Sequence, residues 1–461
     1  MPADLVLGVD SSTQPTKALL IDASTGSVVA QQSAPHPAGT AVDPRAWLDA
    51  FDIATSGLSE RAGAVSIGGQ QHGMVALDSH DSPVHDAILW NDTRSSREAL
   101  TLIDELGGPQ ACADAVGSVL VASFTSTKLR WLRDHEPDAA KRTTRVLLPH
   151  DYVSGHITHG EWFTDRGDAS GTGYFSTRND AWRPDLAESA IGHAVDLPRI
   201  CPSATPAATT ASGLVVGAGT GDNMAAALAL DLQPGDVVVS IGTSGVASAI
   251  SASPVSDPTG SVTGFVDATT NFLPLVATIN AARILELQAR LLGVDHDEMA
   301  RLALAAPPGS HGLTLLPYYD GERTPNRPAA TGTWAGLTTA TTREDLARAA
   351  IEALLCSLAD AVDNLTAATG TPPRRLLLVG GAARNAAVQA IAPAVLGMPV
   401  TVPAPGEYVA LGAARQAAWA LSGSIEPPTW ASVRAETFDA EPTPLVREAY
   451  ALLRDRTSVW S

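Results

Sequence analysis

The sequence predicts an α/β protein made of a duplicated unit, two domains facing one cleft, and three observations carry that expectation. At 461 residues the chain is too long for a single hydrophobic core of ordinary size, so two domains are the prior. About halfway along, the chain starts again: Asp4 to Thr13, DLVLGVDSST, is echoed by Asp236 to Gly245, DVVVSIGTSG, each an aspartate, an apolar run and a hydroxyl-rich turn. A second echo follows in the same order, since VSIGGQQH (Val65 to His72) and LLVGGAAR (Leu377 to Arg384) each put Gly-Gly after a strand that follows a helix.

The elements justify this in order. Leu5 to Val9 and Ala18 to Ile21 read as strands around the turn Ser11 to Thr16, with Val28 to Ala30 as a third. Pro44 to Arg61 reads as a helix behind Asp43 as N-cap, because Trp47, Phe51, Ala54 and Leu58 recur at three and four residues. Ala64 to Gly68 is a strand feeding Gly69-Gln70-Gln71-His72. Ser126 to His135 and Pro149 to Ile157 read as helices, and Asp165 to Gly173 as a loop of small and acidic residues. Pro198 to Gly213, rich in Pro, Ala, Ser and Thr, reads as surface connection. In the second half Thr342 to Asn364 is a helix, with Thr341 and Glu344 as a capping box and Leu346, Ala350, Leu354 and Leu358 on one face.

Composition narrows the function. Lys and Arg number 30 against 49 Asp and Glu, a formal charge of −19, which argues against nucleic acid or anionic membrane as partners. A phosphate ligand would need this field offset locally, by a metal ion or backbone N–H groups. No run approaches the apolar length of a membrane span, and Met1 to Asp10 lacks the pattern of a secretory signal. Cys112, Cys201 and Cys356 lack metal-ligand spacing and read as buried free thiols in a reducing cytoplasm.

The chemistry concentrates at Val215 to Ala226, VVGAGTGDNMAA, where a β-branched pair runs into three glycines and then Asp222 and Asn223. Asp222 caps the following helix or looks into the cleft as a base. Ser12, Thr13 and Thr16 from one half and Thr243 and Ser244 from the other make strand-ended hydroxyl turns suited to an anion, or ordinary tight turns. The Walker-type cradle is excluded, as no G-x-x-x-x-G-K-[ST] run occurs, and GAGTGDN does not carry the dinucleotide spacing. His72 has no partner at metal spacing, and a hydrogen bond to substrate or a structural role is left to it. These parts can serve phosphoryl transfer: Gly380, Gly381 and Asn385 for a nucleotide, Asp10 for hydrated magnesium, His72 and Asn223 for hydroxyls, and Asp222 for the proton, with an ordinary carboxylate pKa sufficing.

The segments GVDSSTQPTKALLID, GGQQHGMVALD, ILWNDTR, FTSTKLRWLRDHEP, VLLPHDYV, DASGT, GAGTGDN, VSIGTSGV, LLPYYDGERTP, LVGGAARN and ALGAA run in register over nearly the whole chain. Together they resemble the FGGY group of carbohydrate kinases, most closely its xylulokinase branch. The resemblance implies two ribonuclease-H-like domains of the actin and hexokinase type around an interdomain cleft: 1–233 binding sugar, 234–425 binding nucleotide, and 426–461 a C-terminal tail. It implies Asp222 as general base and Asp10 near the transferring phosphate and a water-bridged Mg2+. Gln71, His72 and Asn223 are implied as sugar contacts, and Thr13, Thr243, Gly332, Gly381 and Asn385 as nucleotide contacts. The implied reaction is ATP-dependent phosphorylation of D-xylulose in pentose catabolism in the cytoplasm. The alternatives are another ketose or polyol, such as L-ribulose or glycerol, or a non-catalytic actin-like nucleotide-binding protein; a homodimer is also compatible with it. Three features depart from the group: Pro15 in the first turn, which removes an N–H donor; Gln71 where some members have methionine; and a short connection at Pro198 to Gly213.

Overall fold

The computed structural model describes residues 4–430 and 433–460, so the expected tail at 426–461 falls partly outside the described residues. The first sheet contains β1 (Leu5–Ser11), β2 (Pro15–Asp22), β3 (Val28–Pro35), β4 (Ala64–Gly69), β5 (Ala208–Thr209), β6 (Val215–Val216) and β7 (Thr220–Gly221). Its order is β5-β6-β4-β1-β2-β3, with β7 also paired to β4. The second contains β8 (Asp236–Ile241), β9 (Gly245–Ala249), β10 (Thr263–Val266), β11 (Phe272–Thr278), β12 (Arg375–Val379), β13 (Val400–Pro403) and β14 (Ala435–Phe438), in the order β10-β11-β9-β8-β12-β13-β14.

The two halves repeat one topology. In each, a first strand runs antiparallel to a second, the second antiparallel to a third, and the first parallel to a fourth, as β3-β2-β1-β4 and β11-β9-β8-β12. A helix precedes the fourth strand each time: α1 (Arg45–Thr55) and α4 (Arg343–Thr369). The right-handed parallel crossover needs such a helix to return the chain to the same end of the sheet. The other helices used below are α2 (Pro149–Ile157), α3 (Asp222–Ala229), α5 (Ala386–Leu396) and α6 (Tyr408–Ser422). Leu7, Val9, Trp47 and Phe51 belong to the core of the first half, and Val239, Ile351 and Leu354 to that of the second. A further apolar cluster joins Phe124 and Met224 of the first half to Phe265 and Leu273 of the second.

Several boundaries differ from the sequence expectation for local reasons. The helix expected over Pro44 to Arg61 ends at Thr55, because Gly57 takes a left-handed φ of 72° before a short 3-10 turn at Ser59–Arg61. Asp43 still receives the Arg45 N–H at 3.0 Å. The capping box of α4 lies one residue later than expected, at Thr342 and Asp345, whose side chains and backbone N–H groups exchange bonds of 3.0 and 3.2 Å. Thr341 instead accepts the Thr338 N–H in the preceding turn. Pro198 to Gly213 is not simply surface: Arg199–Ile200 pairs with Phe163–Thr164, β5 forms the sheet edge, and Cys201 and Ser203 are buried. All three cysteines are free and buried.

α6 comes from the second half of the sequence yet packs on β1, β4 and α3. Absent side chains allow the approach. A methyl placed on Gly8 would lie 2.0 Å from the Ala410 carbonyl oxygen, and one on Gly412 would lie 1.8 Å from that of Ala225.

Candidate active site

Three strand ends deliver the acidic pair. Asp10 of β1 stands beside Gly68 of β4, and on the other side of β4 Thr220 and Gly221 of β7 stand beside Gly68 and Gly69. Asp222 follows directly as the first residue of α3, with Gly221 as its N-cap. The glycine pair thus separates Asp10 from Asp222 at the carboxyl ends of parallel strands, where open α/β sheets bind ligands. Asp10 is 6% exposed, and its Oδ1 has no hydrogen-bond partner. Burial, followed by the Asp222 charge, pushes its carboxyl up to about 7, with Lys17 opposing. Lys17 forms a 2.6 Å ion pair with Glu407 just before α6. Burial also pushes Asp222 up to about 6, although its Oδ1 accepts the Asn223 backbone N–H at 2.7 Å and the Asn223 amide at 2.9 Å. The carboxylate is therefore more basic than the ordinary value expected from sequence.

The Gln70 to His72 loop closes the other side. Asn223 Nδ2 donates to Gln71 Oε1 at 2.8 Å, while Gln71 Nε2, also buried, keeps a free donor. His72 adopts a left-handed φ of 66°, and its carbonyl accepts from Thr125 Oγ1 and Lys128 Nζ, each at 3.2 Å. Its Nδ1 lies 2.7 Å from the Gly171 carbonyl, so the N–H sits there and Nε2 is left as an acceptor. Burial and the nearby Lys128 push the imidazole down to about 3, with Arg323 of the second half acting in the same sense, so the ring is neutral. Asp10, Gln71, Asn223 and Asp222 are thus brought together, with His72 adjoining.

The expected phosphate turns are partly committed elsewhere. Ser12 gives its hydroxyl to the Pro15 carbonyl at 2.9 Å, and Thr16, wholly buried in β2, pairs with His36 at 2.8 Å. Thr13 accepts from the exposed Trp90 indole at 3.0 Å. In the second half Thr243 is exposed in the β8–β9 turn. Gly380, at φ 92°, packs on the end of β8, where a methyl would lie 2.8 Å from the Ile241 carbonyl oxygen; this sets the 380–385 segment beside that turn. Gly381 is uncrowded, and Asn385 caps α5 through Oδ1, leaving its amide N–H groups free. Gly332 lies against the Tyr319 ring, at 2.4 Å from an added methyl.

Sequence reasoning missed the floor of the site. Asp165 to Gly173 is no open loop: Arg166–Ala169 is a short helix, and Asp165, Asp168 and Thr172 are wholly buried beneath Thr220 and Gly221. The Asp-x-x-Asp spacing, one residue capping the turn that carries the other, was its signal. Among the described residues no group of three or more His, Cys, Asp or Glu is arranged to hold a metal ion.

Residues 5–229 match the N-terminal domain of the FGGY family of carbohydrate kinases, and residues 237–421 match its C-terminal domain. The chain is 47% identical over 435 residues to a xylulose kinase of Streptomyces coelicolor, covering 91% of this chain and 88% of that protein. It is 46% identical over 452 residues to a xylulose kinase of Streptomyces rubiginosus, covering 94% and 91%. The crystal structure of xylulose kinase from Bifidobacterium adolescentis superposes with a TM-score of 0.92 at 44% identity, over 98% of this chain and all of that one (100%).

Proposed function

Because the chain belongs to the FGGY family of carbohydrate kinases, we propose that it transfers the γ-phosphoryl group of ATP to the terminal hydroxyl of D-xylulose, giving D-xylulose 5-phosphate. Identity of 46–47% to xylulose kinases over almost the full length supports that sugar. The observation that carries the chemistry is the pairing of Asp10 and Asp222 across Gly68–Gly69, with the Asn223–Gln71 amide pair beside Asp222.

Asp222 takes the proton of the attacking hydroxyl as the new P–O bond forms, and a carboxylate raised to about 6 is ionised yet basic at neutral pH. Asn223, the free Gln71 N–H and the bare Nε2 of His72 bind sugar oxygens. Closure of the two halves over both ligands keeps water, the competing acceptor, from the base. Thr13 and the Thr243 turn flank the phosphates, and Gly381, Asn385 and more weakly Gly332 take the nucleotide. The unpartnered Oδ1 of Asp10 fits a hydrated cation: Mg2+ there, held through water, would offset charge on the phosphate oxygens. The acting molecules are a sugar and ATP, and no described helix is long and apolar enough to cross a membrane.

A coupled assay over D-xylulose, L-ribulose and glycerol tests the reading. D-xylulose is expected to give the highest kcat/KM, and Asp222→Ala to reduce kcat by about 10³-fold or more. A folded Asp222→Ala enzyme with near-normal turnover would remove the base, and preference for another acceptor would remove xylulose.

A further inference from the structure

Beneath the acidic pair lies a set of ionisable groups that the phosphoryl-transfer chemistry does not use. His150 of α2, Asp151, Asp165 and Asp168 all have 0% exposure. His150 Nδ1 lies 2.7 Å from Asp168 Oδ2, and its Nε2 lies 3.1 Å from Asp151 Oδ1 and 3.4 Å from Thr164 Oγ1. Asp165 accepts the Thr220 hydroxyl at 2.6 Å and the Asp168 backbone N–H at 2.8 Å. Asp151 accepts the Leu148 N–H at 2.8 Å. Asp168 Oδ1 has no partner.

This set touches both loops of the site. A methyl on Gly69, just before the Gln70 to His72 loop, would lie 2.9 Å from His150 Cβ; one on Gly219, just before Thr220, would lie 2.3 Å from His150 Cδ2. The imidazole is therefore a spacer between the two segments, each lacking a side chain where it meets the residue. One on Gly221 would lie 3.0 Å from Gln71 Cδ and 3.1 Å from Asp168 Oδ1. The free acid oxygen and the Gln71 amide thus share the face of the residue immediately before Asp222. The same short segment reaches His72 through the Gly171 carbonyl, and the second half through Ser170 Oγ, which accepts the Val266 N–H at 3.2 Å.

We propose that His150 and Asp168 form the positioning element of the site, setting the Thr220 to Asp222 turn against the Gln70 to His72 loop, with Asp168 present as the neutral acid. The charge state follows from the surroundings. Three carboxylates and one imidazole without solvent cannot all ionise, because each unpaired buried charge is strongly disfavoured. Asp165, with two donors, is the best place for negative charge. Asp168, facing the Asp222 carboxylate past Gly221, is the worst, and burial together with Asp222 raises its carboxyl well above the usual range. Asp151, Asp165, His150, Asp222 and the buried Tyr174 are the titratable groups facing it. Holding Asp168 neutral keeps one more negative charge away from the base.

The inference rests on Asp222 as base, so Asp222→Ala is measured in parallel. Asp168→Ala is expected to lower kcat by about 30-fold or more, since a misplacement near 1 Å costs on the order of 10²-fold, with KM for ATP within about 2-fold of the wild type. Asp168→Asn, which matches the neutral acid in shape and keeps a donor, is expected to restore kcat to within about 3-fold and leave the pH profile of kcat/KM unmoved. Circular dichroism and thermal melting check folding. A folded Asp168→Ala enzyme with normal kcat, or an Asp168→Asn enzyme as slow as the alanine variant, overturns the proposal. If the alanine variant does not fold, His150→Gln, which keeps polarity but lacks the Nδ1 donor, replaces it: a loss of about 10-fold in kcat supports the proposal and an unchanged kcat overturns it. Activity in Asp222→Ala would instead defeat the base assignment, whatever the Asp168 variants do.

Discussion

Asp10, in the role proposed for it, trades stability for chemistry. Its carboxyl is 6% exposed with one oxygen unpaired, and its folded pKa of about 7 lies above the ordinary value of 3.8. Such a group holds its proton more tightly when folded. Its ionised form therefore costs stability once the pH exceeds the unfolded value, the cost grows as pH rises, and it levels off above about 7. Asp10→Asn should accordingly stabilise the ligand-free protein at pH 8 by about 2–4 kcal/mol, with the gain vanishing toward pH 4, while phosphoryl transfer is lost. Urea unfolding at the two pH values in the presence of EDTA measures this, and an Asn variant less stable at pH 8 than the wild type would contradict it. Neither the burial of Asp10 nor the second acid beside it could be read from GVDSST alone. Both depend on β4 lying between β1 and β7, a pairing between residues more than 150 positions apart.

At the scale of elements, α6 is the piece whose placement matters most and was least legible. The ALGAA run shows small residues, but only the packed chain reveals that Gly412 meets the Ala225 carbonyl oxygen of α3. α3 begins at Asp222, so the fit of α6 also fixes the proposed base. Gly412→Ala should force the two helices apart and destabilise the protein by about 1–3 kcal/mol, as overpacking does, with kcat falling more than KM for ATP. Urea titration and steady-state kinetics on the folded fraction test this. Elements with strong internal signals were legible: Pro149–Ile157 agrees at both ends, and Thr125–His135 begins one residue before the expected start. Those whose limits depend on a single residue were misplaced, as where Gly57 ends α1 early and where Thr342 rather than Thr341 caps α4. The buried 165–173 segment escaped because short polar residues signal a loop by composition, whereas here Thr220 satisfies Asp165 and His150 satisfies Asp168 out of water.

For the whole molecule, charge is the property that composition gives directly and the fold only redistributes. A formal charge of −19 sets a field that repels the nucleotide, while the sugar is uncharged. Inside the cleft, Lys17 is already paired with Glu407 and Lys128 is spent on the His72 carbonyl, so neither freely offsets the approach of phosphate. Screening should therefore help ATP more than it hurts. As ionic strength rises from about 10 mM to 150 mM the Debye length contracts from about 30 Å to 8 Å, and long-range repulsion is largely removed. KM for ATP is expected to fall by about 2–3-fold over that range at fixed free Mg2+, with KM for D-xylulose constant as an internal control. A KM for ATP that rises with salt would mean that local cations, Arg323 near His72 among them, outweigh the net field and draw the phosphates in.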